Sequence, residues 1–97
     1  MLVSYNTESP PGRNTDPLQD EIESLLEQLG FSIQREQLYE NDSVIVATLK
    51  GEDSQAPKLI LNGHVDVASV DDDQYWQYPP FQLTEKGHWL YGRGVSD

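Results

Sequence analysis

Lys58-Leu59-Ile60-Leu61-Asn62-Gly63-His64-Val65-Asp66 is the stretch on which the reading of this chain turns. Its centre is continuously apolar rather than alternating, which is the pattern of a strand buried on both faces of a parallel or mixed sheet. Such a strand needs cover on both sides, normally from helices. The fold class predicted from it is α/β: a mixed sheet with helices on both faces in the full domain, of which residues 1–97 supply only the front part. His64 follows at the carboxyl end of this strand, where α/β sheets place their ligand sites. Imidazole is a good zinc ligand, and a carboxylate close by can fix its tautomer and orientation. Asp66 is the nearest candidate for that role, and Gly63 lets the backbone pass close to a metal or substrate. Alone, a His-x-Asp after a strand marks a structural histidine more often than a ligand.

Upstream, the pattern predicts one helix and two strands. Asp16 can cap the helix, Pro17 suits its first position, and Gln19 stands where a capping-box partner would. Leu18, Ile22, Leu25, Leu26 and Leu29 form one apolar stripe at helical spacing. Gly30 can end the helix in a left-handed cap. The stripe over residues 17–29 is expected to pack on the sheet that contains residues 58–62 as an inner strand. Residues 31–38 and 43–50 read as strands, the second rich in β-branched side chains. Residues 51–57 are a polar connection. Before the helix, Pro10, Pro11 and Gly12 make residues 1–15 turn-rich, and Met1-Leu2-Val3 resembles the end of an earlier helix. Downstream, residues 68–80 read as a long acidic and aromatic loop. Residues 81–84 and 89–91 read as a short hairpin around Glu85-Lys86-Gly87-His88, with His88 in the turn.

The length suits one small domain. Six Lys+Arg against 17 Asp+Glu give a net charge of −11, which argues against nucleic acid or an anionic membrane as partner, because both need basic surface. The acidity itself is the ordinary character of a solvated surface. With no cysteine, neither a disulfide framework nor a thiolate metal site can form. No apolar run approaches the roughly 20 residues of a membrane span, and the first residues lack the pattern of a signal peptide; a cytoplasmic location is the expectation. Asn41-Asp42-Ser43 matches the glycosylation pattern, without a secretory signal to give it meaning.

A second motif closes the chain: Tyr91-Gly92-Arg93-Gly94-Val95-Ser96-Asp97. Two glycines two apart indicate an unusual backbone path. A dinucleotide loop would need a third glycine where Asp97 stands. The run Asp71-Asp72-Asp73 is not followed by the glycine and glutamate of a calcium loop, and reads as solvated loop.

Taken in order, residues 59–67, Trp76, Pro80-Phe81 and residues 90–97 resemble the zinc aminoacylase, acetylornithine deacetylase and succinyl-diaminopimelate desuccinylase family of metallopeptidases. Asn6-Thr7-Glu8-Ser9-Pro10-Pro11-Gly12 and Leu29-Gly30-Phe31 are similar to its acetylornithine deacetylase branch. The resemblance implies that His64 is a ligand of one of two zinc ions, with cobalt as a substitute. It implies that Asp97 is the carboxylate bridging both ions and that Asp66 is the catalytic-site aspartate that orients His64. The implied reaction is hydrolysis of the amide bond of an N-acyl amino acid or short peptide, with metal-bound water as nucleophile and a glutamate as general base. It further implies a homodimeric parent with a lid domain. Trp76, Pro80 and Phe81 are expected to pack the loop. The family's glutamate pair, its later carboxylate and histidine ligands and its lid have no counterpart in residues 1–97, so the chain alone is expected to be inactive. The alternative is a non-catalytic domain of the same fold that serves as a binding or interaction module.

Overall fold

In a computed structural model, which describes residues 1–71 and 75–97, the leucine stripe forms a helix, α1, over Asp16–Gln28. Its N-cap is Thr15, and no side chain caps it. The expectation that Asp16 caps the helix is therefore corrected: Asp16 is the first helical residue, and its carboxylate is taken by the neighbouring sheet. It accepts from Ser43 Oγ at 2.6 Å and Gln37 Nε2 at 2.8 Å, and pairs with Arg35 Nη2 at 3.2 Å. Thr15 Oγ1 is likewise engaged, donating to Asp42 Oδ1 at 2.5 Å. Gln19 does not close a capping box either; its buried amide donates to Ser43 O at 2.9 Å. Tertiary acceptors and donors outcompete the local amides that a cap would serve. The other end forms as expected. Gly30 adopts φ 90°, and the Gly30 and Phe31 N–H groups donate to Glu27 O at 2.9 Å and Leu26 O at 3.1 Å. This double bond pattern satisfies the last helical carbonyls.

The two expected strands form an antiparallel hairpin, β1 (Ser32–Tyr39) and β2 (Asp42–Thr48), with a register slip between Gln37 and Tyr39. Asn41 takes the left-handed conformation in its turn, at φ 60°. Strand alternation gives the hairpin two faces. Ile33, Arg35, Ser43, Ile45 and Ala47 are buried or half-buried, whereas Gln34, Glu36, Val44 and Val46 are exposed. α1 lies on the first face. Arg35 clamps the two together: beyond Asp16 it binds Asp20 at 2.5 Å and Glu23 at 3.0 Å, and its Nε donates to Ser43 Oγ at 2.8 Å.

The expected inner strand does not form. Residues 58–62 pair with no described residue, and Leu59, Ile60 and Leu61 are 84%, 85% and 85% exposed. The helix packs on the β1–β2 hairpin, not on this segment. A continuous apolar run signals that burial is required, but a ladder also needs an adjacent strand to accept it, and the hairpin offers none here. The stripe is accordingly half covered. Leu18 is the one buried apolar side chain among the described residues, while Leu29 is 70% exposed.

The second hairpin consists of β3 (Thr84–Lys86) and β4 (Trp89–Tyr91). Its first strand starts at Thr84 and not at Phe81. A two-residue turn, Gly87-His88, with Gly87 at φ 61°, draws Glu85 and Lys86 into the ladder, as tight hairpin turns with a leading glycine do. His88 sits in that turn as expected. Residues 2–4 form a single 3₁₀ turn, Leu2–Ser4. Asp72 and Asp73 lie outside the described residues. No described helix is long and apolar enough to cross a membrane. The architecture is mixed α/β.

Candidate metal centre

Three segments that are distant in sequence build the site. The first is residues 6–9, which run parallel to residues 65–67 through a Glu8–Val67 bridge. Val67 N donates to Thr7 O at 3.0 Å and Ser9 N to Val67 O at 2.9 Å. Thr7, 2% exposed, adds its hydroxyl to Val65 O at 2.7 Å. This ladder fixes 65–67 as extended backbone, so alternate residues face opposite ways. Val65 and Val67 turn inward and are half-buried; His64 and Asp66 share the exposed face. The His-x-Asp spacing is thus strand geometry: it sets the two side chains next to each other.

The third segment is the turn of residues 92–97. Gly92 and Gly94 have φ 158° and 81°. A Cβ on Gly94 would stand 2.8 Å from Val67 Cγ1, so glycine allows the turn to lie flat against the His64 strand. That approach brings Asp97 Oδ1 to 3.2 Å from His64 Nε2. On the other ring nitrogen, Nδ1 lies 3.0 Å from the Asp66 backbone oxygen and 3.3 Å from Asp66 Oδ1. The orienting contact expected of the Asp66 carboxylate is therefore shared with the same residue's carbonyl, which is nearer.

This environment pushes the His64 pKa up. The cause is first the hydrogen bond to the Asp66 carbonyl, then that to Asp97, then the charge of both carboxylates. A proton on Nδ1 donated to Asp66 leaves the Nε2 lone pair facing Asp97, and proton and metal ion compete for that lone pair. The spacing admits either occupant, and among the described residues no group of three or more His, Asp or Glu side chains is gathered to hold an ion. Two donors on a tetrahedral zinc, with bonds of about 2.0–2.2 Å, stand about 3.4 Å apart, close to the 3.2 Å observed. The donors are open to solvent, His64 at 59% and Asp97 at 89% exposure. They border a cleft of ≈ 390 Å³ that Ser9, Asp66, Gly94 and Ser96 also line.

Comparison with known proteins shows the family of the chain. The chain is 48% identical over 97 residues to an N-formyl-4-amino-5-aminomethyl-2-methylpyrimidine deformylase of Bacillus subtilis, a match covering 99% of this chain and 23% of that protein. It is 46% identical, with the same coverage, to the protein of that name in Halalkalibacterium halodurans. A probable succinyl-diaminopimelate desuccinylase of Staphylococcus aureus is 54% identical over 44 residues, 45% of this chain and 11% of that protein. The chain belongs to the deacetylase and desuccinylase family of metallopeptidases. Deformylases and desuccinylases cleave amide bonds, so the family is one of amidohydrolases. The chain spans 23% of the length of the two deformylases. No family model and no solved structure matches it.

Three further residues around His64 and Asp97 carried no assigned role in the sequence. Thr7 and Ser9 stood only within a family-like stretch, yet both hold the His64 strand, and Ser9 also borders the cleft. Arg93 stood between two glycines. Its backbone N–H donates to Pro80 O at 2.7 Å, and its guanidinium lies 5.0 Å from the Trp76 ring centroid. Trp76 and Pro80 therefore anchor the turn. The signal for all three residues was motif membership alone; neither composition nor periodicity marks them.

Proposed function

We propose that the protein carrying these 97 residues hydrolyses the amide bond of a small N-acylated compound, and that His64 and Asp97 contribute to a two-zinc centre in which Asp97 bridges the ions. The observation that supports this reading is the approach of His64 Nε2 to Asp97 Oδ1, 3.2 Å apart across 33 residues of sequence, close to the spacing of two donors on one metal. Zinc held there would supply Lewis acidity, polarising the carbonyl and bringing the pKa of water toward neutrality. The chain's own residues do the rest of the local work. Asp66 keeps the His64 proton on Nδ1, so that Nε2 stays available. The Thr7 ladder keeps the strand straight. The glycines let Asp97 approach. Catalytic zinc takes about three protein ligands, so the remaining ligands and the general base come from outside residues 1–97, which serve as the front part of a larger catalytic domain. The names of the relatives matched over the whole chain make an N-formyl aminomethylpyrimidine the first substrate to try, with N-acyl amino acids as the wider class. A homodimeric, cytoplasmic parent is part of the same proposal.

The test uses the full natural polypeptide that contains this chain. Stripped of metal and resupplied with zinc or cobalt, it should release formate from the formylated pyrimidine, or the acyl group from N-acetyl or N-succinyl amino acids. Turnover that ignores chelation, or that survives His64→Ala unchanged, would overturn the proposal.

A further inference from the structure

Neither His64 nor Asp97 can hold the other in place. Their side chains are 59% and 89% exposed, and exposed pairs contribute little to ordering. The backbones must impose their spacing. The Thr7 ladder does so for His64. For the turn of residues 92–97, the contact that crosses to the His64 segment comes from Arg93. Its Nη2 donates to Ser69 O at 3.3 Å, just beyond the ladder. Its guanidinium lies over Trp76, 5.0 Å from the ring centroid, and its N–H holds Pro80 O at 2.7 Å. Among the described residues, Arg93 is the only side chain besides Asp97 that hydrogen-bonds this turn to residues 64–71. A planar guanidinium suits the task, because it stacks and donates in fixed directions at once. Its Nε is buried without an acceptor among the described residues, so the group is held by Ser69 and Trp76 rather than spread over many partners.

We propose that Arg93 is a positioning residue for the metal pair: by tying the glycine turn to the Ser69 carbonyl and resting on Trp76, it sets Asp97 at the distance from His64 that one metal ion bridges. The proposal rests on the metal reading above. Arg93 touches neither metal nor substrate in this role. Its effect passes through the placement of Asp97, and therefore through metal affinity before turnover.

The experiment compares Arg93→Met, Arg93→Lys and His64→Ala in the full natural polypeptide. The readouts are the zinc dissociation constant by chelator competition, the visible spectrum of the cobalt-substituted protein, and KM and kcat. Arg93→Met should weaken zinc binding roughly 10- to 100-fold, the range for outer partners of a metal site. It should also alter the cobalt bands, with circular dichroism unchanged. Arg93→Lys, which keeps one donor for Ser69 but loses the planar stack, should fall between Met and wild type. Wild-type zinc affinity with a raised KM would make Arg93 a substrate contact and overturn the proposal, as would wild-type values of both. If Arg93→Met does not fold, Arg93→Lys decides, and wild-type zinc affinity in it refutes the role. Unchanged zinc affinity in His64→Ala would sink the metal reading and this inference together. A loss there, with none in the Arg93 variants, would sink this inference only.

Discussion

Gly94→Ala tests whether close backbone approach builds the site. Gly94 has φ 81°, where a Cβ meets the following carbonyl at a cost of about 1–2 kcal/mol. The added methyl would also stand 2.8 Å from Val67 Cγ1, and overpacking of this kind costs about 1–3 kcal/mol. Val67 can yield in part by rotating, so the sum is about 2–4 kcal/mol against the aligned turn. At 1.4 kcal/mol per factor of ten, the aligned population falls by up to roughly 30- to 700-fold. Asp97 should then leave His64. Two measurements read this. Zinc affinity of the full natural polypeptide should drop within that range. In the metal-free protein, the His64 NMR titration should move back toward the ordinary histidine value, because the raised pKa owes part of its shift to Asp97. Adding Val67→Ala removes the clash but not the backbone strain, and should restore about half of the loss. A fall in zinc affinity below about threefold in Gly94→Ala, or no recovery in the double variant, would refute the reasoning.

His64→Ala should abolish metal-dependent hydrolysis while His88→Ala leaves it near wild type, since His88 sits in the exposed β3–β4 turn; equal losses in the two assays would contradict the site. Arg35→Met should lower stability by about 1–2 kcal/mol, a charge-assisted cluster discounted for partial exposure, because it releases Asp16, Asp20 and Glu23 at once; an unchanged urea midpoint would show that α1 needs no clamp. The Asp16 carboxyl is held below the usual carboxylate range, chiefly by the Ser43 hydroxyl, with Gln37 and Arg35 adding and desolvation opposing. A depressed carboxyl contributes stability above its unfolded pKa and loses it as pH falls through the folded value. Asp16→Asn should therefore be less stable at neutral pH, with the gap to wild type closing below about pH 4; a gap independent of pH in acid-unfolding curves would refute the assignment. The isolated 97-residue chain should bind zinc only weakly, because His64 and Asp97 supply fewer than the about three protein ligands of a catalytic site; submicromolar affinity of a monomer by calorimetry would show that the ligand set is more nearly complete.

By itself the sequence determined the features that depend on near neighbours. The leucine stripe and Gly30 specify α1 and its end, because helical spacing and a left-handed cap are local properties. The β-branched run specifies β2, and the His-x-Asp spacing singles out His64 and Asp66. The charge of −11 and the absence of cysteine bound the chemistry without any fold. Tertiary structure alone decided the rest. Thr15 displaced Asp16 at the helix start because Ser43, Gln37 and Arg35, all distant in sequence, offered the carboxylate better partners than the local amides. Residues 58–62 found no partner among the described residues because an apolar run states a need for burial but cannot state which strand lies beside it. The meeting of His64 with Asp97 depends on a parallel ladder from Thr7 and on a glycine turn lying against Val67. No one-dimensional pattern contains that distance, because it is set by contacts between segments that only folding brings together.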